Sequence, residues 1–248
     1  MEAKKSLGQH FLVDESVLLK IKNEVEDAEN IIEIGPGRGA LTRYLTELNA
    51  SLSVVEFDKD LIEYLEGEFL RYGVKVYNED AKNFALREKA TIVGNLPYNV
   101  SKRIIKNMIL QKDRVDKMVF MVQKEVADSI VARENTHKYS KFSVFVQLFF
   151  KVKRLFNVQK GAFNPPPKVE SSVVEFLPYK TNLLNEKIES GFFEFLNVFF
   201  AHPRKTLKNN LKSLSEKCEL NGEFLSKRPR EFPVKDIYSI YKGVYSNE

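Results

Sequence analysis

The run Asn95-Leu96-Pro97-Tyr98, which follows Gly94, has the residue types needed to polarise a nucleobase amine. The exocyclic amine of adenine or cytosine is a poor nucleophile because its lone pair is delocalised into the ring. Two acceptors held beside it, the Asn95 side-chain oxygen and the Leu96 carbonyl, draw it towards tetrahedral geometry and expose that lone pair. Pro97 biases Leu96 to an extended backbone and so helps to aim its carbonyl. Tyr98 can stack on the base. Taken without their neighbours, the same four residues also describe a strand-ending turn with a buried tyrosine.

Upstream lies a second constellation, EIGPGRGA at 33–40, at the expected turn from a first strand into its helix. Glycines there let the backbone approach a ligand closely. Gly35, Gly37 and Ala40 also fit the dinucleotide pattern G-x-G-x-x-G/A, with an acid, Glu56, 21 residues past Gly35. Under either ligand reading Glu56, at the end of a strand, can accept from both hydroxyls of a ribose. Asp80, just past the next strand, can accept from an adenine amine; a helix cap or a solvated loop charge is its plainer alternative. Glu33 completes a set of acids at successive strand ends.

These residues need a parallel sheet to bring them together. From residue 30 to about 123, short β-branched runs alternate with helical patterns, the signature of strands joined by crossover helices. Strands are expected at 30–34, 52–57, 74–77, 91–93 and 117–122, with two more at 152–156 and 172–177 flanking a proline-rich loop. Leu41, Tyr44, Leu45 and Leu48 share one helical face, as do Val100, Ile104, Ile105, Met108 and Ile109. Helices are also expected at 124–132 and around 143–150. Beyond Pro178 the pattern turns wholly helical: Phe192, Phe195, Leu196, Phe199 and Phe200 form one stripe, Leu207, Leu211 and Leu214 the next, with Pro203 expected in the first turn of the latter's helix. The expectation is a Rossmann-like α/β domain over 1–180 with a seven-stranded, mostly parallel sheet, and a small helical domain over 181–248, the boundary falling near 178–185.

Charge is sorted along the chain. The 248 residues carry a net +5, yet 24–88 holds 15 acids against 7 bases, leaving +13 elsewhere. Residues 149–168 have five Lys/Arg and no acid, and 201–215 have four and none. Such segregation suits two unlike ligands, one of them polyanionic, and nucleic acid is the obvious polyanion. A single cysteine, Cys218, excludes an internal disulfide framework, and the start lacks an export pattern, so a cytoplasmic protein is expected. No apolar run approaches the ~20 residues that cross a bilayer. His10, His137 and His202 are too scattered to suggest a metal site. Nothing in the chain demands more than a monomer.

Taken together, these motifs resemble those of the small-subunit ribosomal RNA adenine dimethyltransferases of the KsgA type, a branch of the S-adenosylmethionine-dependent methyltransferases. The resemblance covers nearly the whole chain. It rests on SLGQHFL (6–12), the glycine loop, Glu56, Asp80, 95–101, MVQKEVADSI (121–130), FNPPPKVES (163–171) and RKTLKNNL (204–211). It implies that the opening segment folds over the cofactor through Gln9, His10 and Leu12, although the family's usual residue after the glutamine is asparagine. It further implies that Glu33, Gly35 and Gly37 approach S-adenosylmethionine, that Glu56 holds its ribose and Asp80 its adenine, and that Asn95 to Tyr98 hold the target amine. Phe163 would stack on the other face of the base; a core phenylalanine is the alternative. Arg204, Lys205, Lys208 and Lys212 would grip phosphates of ribosomal RNA in the small subunit. The implied reaction is in-line methyl transfer to an unpaired or turned-out adenine. Three rivals share part of the pattern: the large-subunit methyltransferases of macrolide resistance, a non-catalytic ribosome-assembly factor, and a nicotinamide oxidoreductase.

Overall fold

Runs of consecutive apolar residues become strands covered on both faces, as parallel sheets require. The computed structural model describes residues 9–179, 190–211 and 222–245. Its elements are β1 (Phe11–Leu12), α1 (Glu15–Asn23), β2 (Asn30–Ile34), α2 (Ala40–Leu45), β3 (Ser51–Glu56), α3 (Lys59–Phe69), β4 (Lys75–Asn78), β5 (Ala90–Asn95), α4 (Ser101–Leu110), β6 (Val115–Gln123), α5 (Lys124–Ile130), α6 (Lys141–Phe149), β7 (Phe150–Val158), β8 (Phe163–Asn164), β9 (Ser171–Pro178), α7 (Ser190–Phe199), α8 (Leu207–Asn210), α9 (Gly222–Ser226) and α10 (Val234–Tyr245). They fall into two compact units, one built on Met1–Ala127 with Lys151–Pro178, the other on Asp128–Phe150 with Tyr179–Glu248.

In the first unit seven strands form one sheet in the order β4-β3-β2-β5-β6-β9-β7. The pairs from β4 to β6 are parallel, and β9 runs antiparallel to β6. This is the expected Rossmann-like sheet, with every strand within two residues of its expected ends. Ile31, Ile34, Val54, Ile92 and Val119 are buried in it. The order turns at β2: the chain adds β3 and β4 on one side, then β5 on the other. Neighbouring connections diverge there and leave a crevice at the carboxyl ends of the strands. Gly94 fits this spot because β5 passes close to β2: a β-carbon on it would lie 2.3 Å from the Ile34 carbonyl oxygen.

A second, two-stranded ribbon pairs β1 with β8, Phe11 opposite Asn164 and Leu12 opposite Phe163. It has no counterpart in the sequence reading.

The second unit is an aromatic helical body. Phe192, Phe195, Leu196, Phe199 and Phe200 are all buried. The Phe192 and Tyr241 ring centres are 5.0 Å apart and those of Phe199 and Phe232 5.5 Å. Leu207 and Leu211 are buried as well, whereas Leu214 and Cys218 lie outside the described residues. Pro203 does not open a helix. The Asn210 side chain donates to the His202 and Thr206 carbonyls, both at 3.1 Å, and accepts from the His202 N–H at 2.7 Å. Those bonds hold 202–206 as a loop, and α8 begins only after its N-cap, Thr206. The chain passes between units after Ala127 and Phe150 as well as after Pro178. Nearly every residue of α6 is buried, and Phe145 packs edge-on to Phe193 at 5.2 Å, so this helix has its core among the later helices.

Candidate active site

The switch-point crevice opens into a cavity of about 340 Å³. Its wall includes Gln9, His10, Leu12, Glu33, Gly35, Gly37, Glu56, Asp80 and the whole of Asn95 to Tyr98, residues from five separate stretches of sequence. Parallel pairing explains the convergence. Ile34 lies opposite Val55, and Glu33 opposite Val93, so the acids and the tetrapeptide leave the sheet at the same edge.

The glycine loop is set by its own backbone. Gly35 donates its N–H to the Val55 carbonyl at 2.9 Å, and Gly37, at φ 57°, donates to Glu56 Oε2 at 3.2 Å. The other oxygen of Glu56 accepts from the Asp58 N–H at 2.8 Å. Each oxygen thus takes a backbone donor, and a carboxylate oxygen has acceptor capacity for a further hydroxyl. Burial pushes the Glu56 carboxyl above its ordinary range against the pull of those N–H groups. Glu33 goes further. Fully buried, it is raised to about 8, chiefly by desolvation and secondarily by the Glu56 charge, although Thr42 Oγ1 donates to it at 2.6 Å. Asp80 accepts the Lys82 N–H at 3.0 Å and pairs with the Lys82 ammonium at 3.0 Å while lining the cavity.

A strap made of residues 9–14 closes one side. Gln9 Nε2 donates to Asp58 Oδ2 at 2.9 Å, the Phe11 ring lies 4.5 Å beneath the Arg38 guanidinium, and Val13 donates to the Ala162 carbonyl at 2.8 Å. At its centre the carbonyl of His10 accepts Asn95 Nδ2 at 3.0 Å. That bond decides which way the carboxamide faces: its nitrogen is committed to the strap, so its oxygen is the end available to another donor. The Tyr98 hydroxyl shares a 2.7 Å hydrogen bond with Ser171, and burial raises it above the usual phenol range. The glycine loop and the tetrapeptide touch: a β-carbon on Gly35 would lie 3.6 Å from the Asn95 carbonyl oxygen and 3.9 Å from Pro97.

Phe163 is not a wall of this cavity. Its ring is 3% exposed and packs in the core with Leu12 and Val158. Leu12, directly opposite it across the ribbon, belongs to the same core. Arg204, Lys205 and Lys208 are exposed in the second unit; Lys212 and the Ser6-Leu7-Gly8 part of the opening motif lie outside the described residues. Asp58, Phe11, Arg38 and Ser171 were not singled out by the sequence reading. Asp58 carried a usable signal, an acid two residues past Glu56 at the N-cap of α3, where it also accepts from Asp60. Among the described residues no cluster of His, Cys, Asp or Glu could hold a metal ion, and no helix is long and apolar enough to cross a membrane.

Residues 1–228 match the family model described as ribosomal RNA adenine dimethylase. The chain is 37% identical, over 96% of its length and 96% of the relative's, to a ribosomal RNA small subunit methyltransferase A of Francisella tularensis subsp. novicida. Its fold superposes with a TM-score of 0.79 on the crystal structure of a dimethyladenosine transferase from Plasmodium falciparum, at 25% identity and covering 93% of this chain and 96% of that one. The 23S rRNA methyltransferase ErmE shares the fold at 20% identity, with a TM-score of 0.68 over 92% of this chain and 98% of that one. A match that runs from the strap into the second unit, on a chain whose glycine loop and tetrapeptide meet in one cavity, leaves one conclusion: this chain belongs to the ribosomal RNA adenine dimethylase family.

Proposed function

We propose that this chain transfers methyl groups from S-adenosylmethionine to the exocyclic amine of adenines in small-subunit ribosomal RNA, giving dimethyladenosine during ribosome biogenesis in the cytoplasm. The observation that carries the proposal is the contact of the glycine loop with the tetrapeptide, with Gly35 facing the Asn95 carbonyl and Pro97 across one cavity. A donor-binding loop and an amine-polarising turn have a task together that neither has alone. The small-subunit substrate is favoured by the relatives named for it, of which the Francisella protein is one.

The donor set suits an adenosyl sulfonium ligand. Glu56 has acceptor capacity on both oxygens for two vicinal hydroxyls, and the exposed Phe57 ring and Asp80 border the same cavity. Gln9, His10 and Leu12 would cover the ligand. Bound there, S-adenosylmethionine supplies an electrophilic methyl group on a positively charged sulfur. All else falls to the protein. Asn95 Oδ1, aimed by the Nδ2 bond to the strap, and the Leu96 carbonyl accept the two hydrogens of the target amine and localise its lone pair. Tyr98, held at its hydroxyl by Ser171, presents a ring on which the base stacks. The methylated amine is a strongly acidic ammonium that loses its proton to solvent, so no general base is required. After one transfer a single hydrogen remains to donate, and one acceptor suffices for the second. Exposed Arg204, Lys205 and Lys208, with Lys212, grip phosphates of the folded RNA without reading bases. One copy of the chain suffices for these steps.

The test is incubation of unmodified small ribosomal subunits with labelled S-adenosylmethionine, with large-subunit RNA in parallel and Asn95→Ala as control. Dimethyladenosine should appear in the small-subunit RNA alone. Asn95→Ala should slow transfer by roughly a hundredfold or more while retaining RNA binding. Label in the large-subunit RNA, or near-normal turnover by the variant, would overturn the reading.

A further inference from the structure

Among the described residues the cavity wall carries one arginine and one lysine, and only the lysine has a carboxylate partner. Lys82 pairs with Asp80 at 3.0 Å. Arg38, between Gly37 and Gly39, is exposed, and its side chain makes no hydrogen bond and no ion pair with any described residue. What it rests on is a ring: its guanidinium carbon stands 4.5 Å from the centre of Phe11. Phe11 in turn is seated on the glycine loop, since a β-carbon on Gly37 would come within 3.0 Å of that ring. A guanidinium placed over an aromatic ring keeps its N–H fork for another partner.

We propose that Arg38 pairs with the α-carboxylate of S-adenosylmethionine, so that the site reads the amino-acid end of its donor. The sulfonium sulfur has three arms. The methyl has to face Asn95 and the ribose Glu56, which leaves the methionine arm to the rest of the wall. The glycine loop meets these directions in turn: Gly35 lies beside the Asn95 carbonyl and Pro97, Gly37 donates to Glu56, and Arg38 follows, over the Phe11 ring of the strap. A carboxylate arriving there finds a planar fork that matches it with two parallel hydrogen bonds. A phosphate would fit the same fork, but Arg38 lies in the stretch 24–88, where 15 acids against 7 bases repel a nucleic-acid backbone. A small zwitterion suits that setting better than a polyanion.

The inference rests on the donor proposed above, and its test separates the two. Dissociation constants are measured by calorimetry for wild type, Arg38→Gln and Arg38→Lys. The ligands are S-adenosylmethionine and its decarboxylated analogue, which keeps the adenosine and the sulfonium and lacks only the carboxylate. Arg38→Gln should weaken S-adenosylmethionine roughly five- to tenfold and leave the analogue within about twofold of wild type. Arg38→Lys, which keeps the charge without the fork, should fall between. Equal losses for both ligands would make Arg38 a brace for Phe11 and overturn the inference, as would unchanged affinity of Arg38→Gln for S-adenosylmethionine. A salt slope of RNA binding that drops by about one in Arg38→Gln, with donor affinity intact, would assign the guanidinium to a phosphate and overturn it too. Wild type that binds neither ligand removes the donor reading itself, and this inference with it.

Discussion

Glu33 is a carboxyl walled off from water, with the Thr42 hydroxyl donating to it and a second acid, Glu56, close enough to oppose its ionisation. Its folded-state value of about 8 lies above the ordinary 4.5, so the empty protein holds it protonated at neutral pH. The sign follows: Glu33 contributes stability that is complete below about pH 4.5 and is lost as pH rises through about 8. Glu33→Gln, which keeps the shape without the titration, should raise the melting temperature of the ligand-free protein at pH 8 and change it little at pH 5. A thermal melt at the two pH values checks this; equal shifts would remove desolvation as the cause. At this scale residue type was legible: Gln9, His10, Leu12, Glu33, Gly35, Gly37, Glu56, Asp80 and Asn95 to Tyr98, singled out by type and spacing or by the family resemblance, line one cavity. Orientation was not. That Asn95 turns its nitrogen to the strap depends on a residue 85 positions away.

Among elements, the strands were the legible part, since buried parallel strands are uninterrupted apolar runs and the helices between them show one apolar face. The β1–β8 ribbon was not, because strands of two residues have no periodicity, and it is this ribbon that buries Phe163. Pro203 shows the limit of a local rule: proline suits a helix start, but Asn210 claims the backbone around it and delays the helix to Thr206. Glycines show the same dependence on surroundings. Gly94 meets a carbonyl oxygen 2.3 Å from where a β-carbon would sit, whereas Gly67, inside α3, has nothing within 4 Å. Gly94→Ala should therefore cost about 1–3 kcal/mol or more and disturb the site by pushing β5 from β2. Gly67→Ala should instead gain about 1 kcal/mol from helix propensity. Urea denaturation of the pair tests the contrast, which a generic cost of replacing glycine would erase.

For the molecule as a whole, charge is the property that sequence order reports most directly. The acid-rich stretch 24–88 contains the glycine loop and the acids of the cavity, while Arg204, Lys205 and Lys208 stand exposed in the helical unit. Replacing Lys205, Lys208 and Lys212 by glutamine should weaken RNA binding and reduce the slope of log affinity against log salt by roughly two. An unchanged slope in a binding titration would give the helical unit another task. The sequence by itself determined the sheet, the apolar stripes of the later helices, the residue types that line the cavity and the family they resemble, because residue type and spacing along the chain set hydrophobic period and functional groups alike. Only the tertiary structure decided that α6 belongs with the later helices, that Phe163 is core, and that His10 meets Tyr98 and Pro165. Each of those depends on a partner distant along the chain, and such pairings are fixed by register and packing rather than by any local pattern.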